Sequence, residues 1–131
     1  MAATLATKGA VMIDHVAFYV SDLEASRKFY EQALAPLGYG VAFEMEGMVA
    51  FGEGGRPRVA VRVGEEASRT GHVAIEAESH EAVDAFYAAA IAAGAKDNGA
   101  PGIREHYHPT YYAAFVKDPD GNNVEAVNWQ P

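Results

Sequence analysis

Cysteine is absent from this chain of 131 residues. That excludes disulfides, thiolate metal sites and a cysteine nucleophile, and it leaves the compartment open. Basic residues are scarce: ten Lys and Arg stand against eighteen Asp and Glu, for a formal net charge of −8. Phosphate binding needs a basic face, so nucleic acid is not an expected partner. Arg56, Arg58 and Arg62 nevertheless cluster locally. Long apolar runs are missing too. None approaches the roughly 18 to 20 residues a membrane-spanning helix requires, so no membrane partner is expected. The first residues lack the charged-then-apolar pattern of a secretion signal. The expected location is therefore cytoplasmic.

What is present fits a globular domain. Half the residues are hydrophobic and 21% are charged, ordinary proportions for a soluble fold. The length suits one domain able to bury a core without staples. Residues 1–11 are small and aperiodic and read as a flexible N-terminal extension. A single domain is expected over residues 12–131.

That domain repeats itself. Ile13-Asp14-His15-Val16-Ala17-Phe18 aligns with Thr70-Gly71-His72-Val73-Ala74-Ile75 at an offset of 57, the difference between 72 and 15. His, Val and Ala are identical, and without a gap Phe29-Tyr30 falls on Phe86-Tyr87. Repeat one covers about residues 12–66 and repeat two about 70–128. Each opens with a β-rich segment whose alternation puts the histidine opposite the most apolar face. In the first, His15, Ala17 and Tyr19 oppose Val16, Phe18 and Val20. In the second, His72, Ala74 and Glu76 oppose Val73, Ile75 and Ala77.

A helix follows each opening strand. Ser21-Asp22-Leu23-Glu24 has the form of a capping box with Ser21 as N-cap, starting a helix from about Leu23 to Ala35. In the second repeat Ser79 is the expected N-cap. Val83, Phe86, Tyr87, Ala90 and Ile91 form the apolar stripe, and Gly94 ends the helix. Three strands should complete each repeat. The first set falls near Gly40–Met45, Met48–Gly52 and Arg58–Val63, with turns at Glu46-Gly47 and Gly54-Gly55. The second falls near Ala95–Asp97, Tyr111–Lys117 and Val124–Asn128, with a strong turn over Asp118–Asn122. Asn98–Pro109 reads as a long irregular segment, a length often functional. The architecture expected is α+β: two βαβββ repeats forming a curved, open, barrel-like mixed sheet with the helices outside.

Repeat symmetry would bring His15 and His72 together, and Glu125 on the last strand can reach the same point. Two histidines and a carboxylate leave open positions on a divalent metal. Taken singly, each is more often an ordinary hydrogen-bonded or solvent-facing strand residue; the constellation makes the case. The segment Gly99–Tyr112 is dense in groups that bond and stack. His106, Tyr107, His108 and one of Tyr111 or Tyr112 are candidates to line the pocket and act as acid or base. The competing reading gives these aromatics a dimer interface. Arg104 suits either an anionic substrate group or a surface salt bridge, and His80 reads as a surface residue.

Ile13–Ala17 with Ser21–Tyr30 resembles the opening of the glyoxalase/bleomycin resistance protein/extradiol dioxygenase superfamily, the vicinal oxygen chelate proteins. Gly71–Ala74 and Phe115–Glu125, with the Asp-Pro-Asp-Gly-Asn turn, resemble its second half. The resemblance covers about residues 12 to 128. It implies metal ligands at His15, His72 and Glu125. It also implies one divalent ion (Fe, Mn, Ni or Zn), a small-molecule substrate chelating through adjacent oxygens, and a homodimer, in some members with repeats exchanged between subunits. Lactoylglutathione lyases of this family place a fourth ligand, a carboxylate, on the last strand of the first repeat. Here that position falls near Val59 or Ala60, neither of which can ligate. The function expected is thus a metal-dependent enzyme of lyase or dioxygenase type. The alternative is a metal-free drug-binding protein of the bleomycin-resistance type, and a weaker third is a regulatory domain with a relic site.

Overall fold

The structure, a computed structural model, describes residues 13–131. The extension expected over residues 1–11 lies outside the described residues. Among the described residues, eight strands and two α-helices form two copies of one unit. The first unit contains β1 (Val16–Val20), α1 (Leu23–Leu34), β2 (Gly40–Met45), β3 (Met48–Glu53) and β4 (Arg56–Val63). The second contains β5 (His72–Glu76), α2 (His80–Ala92), β6 (Lys96–Ile103), β7 (Tyr112–Lys117) and β8 (Asn123–Asn128).

The sheet orders are β1-β4-β3-β2 and β5-β8-β7-β6, so the two units share one topology. In each, the opening strand pairs parallel with the last strand and the remaining pairs are antiparallel. The two sheets are not closed into a barrel, which fits the curved, open α+β architecture expected. The helices cover the faces opposite His72 and Glu125. There Phe29, Tyr30 and Leu34 of α1 join Phe86 and Ala90 of α2, together with Val61, Val116, Val124 and Ala126, in one buried cluster. Both units thus share a single core, across which α1 packs against α2. No helix among the described residues is long and apolar enough to cross a membrane.

Four local expectations need correction. The N-cap of α1 is Asp22, whose carboxylate accepts from the Ala25 amide at 3.1 Å. Ser21 is drawn instead to Asp120, donating from its hydroxyl at 2.6 Å and its amide at 3.2 Å. A tertiary partner has overridden a local capping pattern. Helix α1 stops at Leu34 and tightens into a 3₁₀ turn over Ala35–Leu37, where Pro36 suits the first turn. The second strand of the second unit is longer than expected. β6 runs to Ile103, with register shifts between Asp97 and Gly102 that accommodate its glycines and proline, so the irregular segment shrinks to residues 104–111. Ile91, assigned to the apolar stripe, is 38% exposed, whereas Val83, Phe86 and Ala90 are buried. The caps expected at the ends of α2 are present: Ser79 accepts from the Ala82 amide at 3.0 Å, and Gly94 sits at φ 100° just past the helix.

The Asp118–Asn122 turn ties the units together. Asp118 is buried and accepts from the Tyr30 hydroxyl at 2.7 Å, the Asn122 amide at 2.8 Å and the Asp120 amide at 3.0 Å. Asn122, fully buried, donates to Asp118 and to the Ser68 carbonyl while accepting from Ser68 and the Gly71 amide. The turn therefore grips helix α1, the end of β1 and the linker ahead of β5.

Two predictions follow from this packing. Tyr30→Phe leaves the buried Asp118 short of one donor and should cost about 1.5–3 kcal/mol, the worth of a hydrogen bond to a charged group. A denaturant titration with unchanged stability would refute the assignment. Burial, and then the negative charge of Asp118, push the Tyr30 hydroxyl well above the usual tyrosine value. The unfolded chain releases this proton near pH 10 and the folded protein does not. Stability should hold below that pH and fall above it. Tyr30→Phe should flatten the fall by up to about 1.4 kcal/mol per pH unit.

Candidate metal and substrate site

The parallel register of β5 with β8 sets His72 opposite Asn123 and Ala74 opposite Glu125. Period-two alternation then puts Asn123, Glu125 and His72 on one face of the sheet. His72 Nε2 lies 3.1 Å from Glu125 Oε1, and the His72 Nδ1 sits 3.2 Å from the Asn123 carbonyl. A carbonyl only accepts, so the proton of that bond is on Nδ1, and Nε2 is turned to the carboxylate. Glu125 is 2% exposed, and its other oxygen accepts a hydrogen bond from the Tyr111 hydroxyl. A bare Nε2 beside a carboxylate oxygen sets lone pair against lone pair. A cation between them, proton or metal, relieves that.

His15 stands just ahead of β1. Its Nδ1 bonds Asp14 Oδ2 at 2.9 Å, and among the described residues its Nε2 has no partner. Asp14 also pairs with Arg56 at 2.7 Å, and Arg58 donates to its carbonyl at 2.9 Å. The hydrogen bond from His15, followed by that from Arg56, lowers the Asp14 carboxyl to about 2. His15 and His72 line one cleft between the repeats, walled by Val16, Val59, Val73 and Ile75. Even so, no three His, Asp or Glu among the described residues converge closely enough to hold a metal. The structure unites His72 with Glu125 and leaves His15 apart.

The register also settles the position of the missing carboxylate. Ala17 pairs with Ala60 as Ala74 pairs with Glu125, so Ala60 is the repeat counterpart of Glu125. By the same step, Arg58 stands where the second repeat has Asn123.

The loop residues separate into two groups. His106, Tyr107 and Tyr111 line a cleft of about 550 Å³ with His72, Glu125, Phe115 and Asn123. Tyr107 meets Tyr111 edge-on at 5.0 Å, and Tyr111 meets Trp129 at 5.0 Å, forming an aromatic wall. Burial, and next the bond to Glu125, raise the Tyr111 hydroxyl. His108 and Tyr112 do not line this cleft. His108 bonds Thr110 and faces Trp129. Tyr112 points to the helix side, where its hydroxyl donates to Asp84 at 2.6 Å and its ring stacks on His80 at 4.0 Å. The hydrogen bond to Asp84, then desolvation, bring Tyr112 up to about 12. His80 is therefore packed against an aromatic ring rather than free at the surface.

Sequence reasoning missed Asn123 and Phe115. Asn123 was recoverable, since it lies two residues before Glu125 on the same strand. Phe115 required knowing that β7 lies beside β8, where it pairs with Glu125.

The sequence profile of the glyoxalase/bleomycin resistance protein/dioxygenase superfamily matches residues 12–126. Among solved structures, the chain is similar to a glyoxalase/bleomycin resistance protein from Albidiferax ferrireducens T118, at 31% identity and a TM-score of 0.79 over 92% of this chain and 99% of that one. A glyoxalase/bleomycin resistance protein/dioxygenase family enzyme from Burkholderia phytofirmans PsJN shares the fold at 22% identity and a TM-score of 0.69, covering 89% and 98% of the two chains. So does a glyoxalase-related enzyme from Fulvimarina pelagi, at 20% identity and a TM-score of 0.69 over 90% and 88%. No curated protein matches. With the profile spanning nearly the whole chain and the repeated βαβββ topology in place, this protein belongs to the glyoxalase/bleomycin resistance protein/dioxygenase superfamily.

Proposed function

We propose that the protein is a divalent-metal-dependent enzyme of lyase or dioxygenase type, acting on a small substrate that chelates through adjacent oxygens. The observation that carries this is the His72–Glu125 pair: an Nε2 aimed at a buried carboxylate oxygen 3.1 Å away, with the Nδ1 tied to a carbonyl. That is how a ligating imidazole is oriented. His15 has the same preparation, with Asp14 on Nδ1 and an Nε2 that has no partner among the described residues. In this reading the third ligand is His15 of a second copy of the chain, in a homodimer. The first sheet supports a second copy, because Tyr19, Phe43 and Met45 are 48%, 48% and 59% exposed on its uncovered side. Such a patch suits an interface.

A bound Fe, Mn, Ni or Zn ion would supply Lewis acidity toward two substrate oxygens. The chain's own groups do the rest. Tyr111 holds Glu125 in a single orientation. Tyr107 and Tyr111 offer flat aromatic surface to the substrate body. His106 is placed to exchange a proton at the mouth of the cleft. With Ala60 in place of a fourth ligand, coordination stays open on the substrate side.

A second reading, metal-free capture of a planar drug, draws on one observation. Tyr107, 59% exposed, and Tyr111 line the cleft as a stacking surface. Binding of a fluorescent aromatic ligand that persists unchanged in EDTA would favour it over the enzyme reading.

Purified protein reconstituted with Fe, Mn, Ni or Zn should retain metal at micromolar concentrations, and His72→Ala should lose it. Elemental analysis showing no retained metal with any of the four overturns the metal reading. Tyr111→Phe should weaken metal affinity about 10- to 100-fold, the usual cost of losing a group that orients a ligand. Unchanged affinity would remove Tyr111 from that role.

A further inference from the structure

We infer that the cleft beside His72 and Glu125 contains an anion subsite built on Arg104, and that the ligand is a small organic carboxylate. This deepens the proposed function and rests on it for the position of the reacting end. Arg104 follows β6, and its guanidinium lies over the Phe115 ring at 5.2 Å. Nη1 donates to the Gly102 carbonyl at 2.8 Å and the Ala113 carbonyl at 3.1 Å, and Nη2 to the Ala100 carbonyl at 2.8 Å. These bonds hold the group rigidly but neutralise none of its charge. Among the described residues Arg104 has no carboxylate partner, in a chain whose net charge is −8. A guanidinium has five N–H donors; three are used, leaving the Nε proton and one on Nη2.

The backbone is shaped to admit this group. A Cβ at Gly99 would come within 2.9 Å of Nη2, and one at Gly102 within 3.3 Å of Nη1. The guanidinium thus lies close over bare backbone. It opens onto a hollow lined by Asn98, Gly99, His106, Tyr107, Phe115 and Asn123. The last four of these also line the cleft holding His72 and Glu125, so the two hollows adjoin. A charged, braced donor group beside the Tyr107 ring suits a carboxylate on a planar body whose far end reaches Glu125.

The test compares 3,4-dihydroxybenzoate with its neutral isostere 3,4-dihydroxybenzamide by calorimetric titration, in metal-loaded and in EDTA-treated protein. Wild type should prefer the carboxylate by about tenfold or more, as expected for a charge-assisted contact. Arg104→Gln should abolish the preference. Arg104→Lys, which keeps the charge and loses the fork, should retain part of it. A purely bracing role for Arg104 would alter both affinities together and leave their ratio unchanged. An unchanged ratio in folded Arg104→Gln, or no preference in wild type, overturns the subsite. If Arg104→Gln does not fold, Arg104→Lys decides: a ratio equal to wild type overturns the subsite, and a reduced ratio supports it. If no metal is retained, the metal reading fails by itself and the EDTA arm decides the subsite.

Discussion

Asp118 is a carboxylate buried with no cationic partner among the described residues, and the way it is satisfied organises the molecule. Its partners are two backbone amides of its own turn, the Asn122 side chain and the hydroxyl of Tyr30, eighty-eight residues away. An unpaired buried carboxylate would be severely unfavourable, so these bonds must form together. Forming them seats α1 against the second repeat and directs the chain into β8. The neighbouring Asp120 takes Ser21 at the end of β1, and Asn122 takes the linker before β5. One turn thus sets how the two halves of the chain meet, and it immediately precedes Asn123 and Glu125.

The two repeats share a backbone and differ in chemistry. At corresponding register positions the second has Asn123 and Glu125 where the first has Arg58 and Ala60. The first repeat contributes a histidine beside a carboxylate–guanidinium cluster, which cannot collect a cation alone. The second contributes a histidine and a buried glutamate but lacks the other histidine. Each half is incomplete in a complementary way, which is the physical reason for proposing that two copies share a site.

Much of this was legible in the sequence, for identifiable reasons. The 57-residue offset exposed the repeat because His72 opens β5 and His15 stands just ahead of the equivalent strand β1. The Asp118–Asn122 turn announced itself by composition. Readings failed where distant contacts outweighed local pattern. Ser21 looks like a cap until Asp120 is known to lie beside it. β6, with Asn, Gly, Pro and Gly inside it, reads as a loop, yet bulges let it pair with β7. The choice between Tyr111 and Tyr112 depends on strand parity at the edge of that irregular segment; only the structure shows Tyr111 on Glu125 and Tyr112 on Asp84. Arg104 was visible as a charge, but its lack of a carboxylate partner is a property of the fold.

Subunit mixing tests the central claim most directly. His15→Ala and His72→Ala proteins are each purified, unfolded together, refolded and assayed for bound metal. If the site takes His15 from one copy and His72 with Glu125 from another, mixed dimers contain one intact site. A random mixture should then recover about a quarter of the wild-type metal. Neither variant should hold metal alone. A refolded mixture with no more metal than its two components would contradict a site shared between copies.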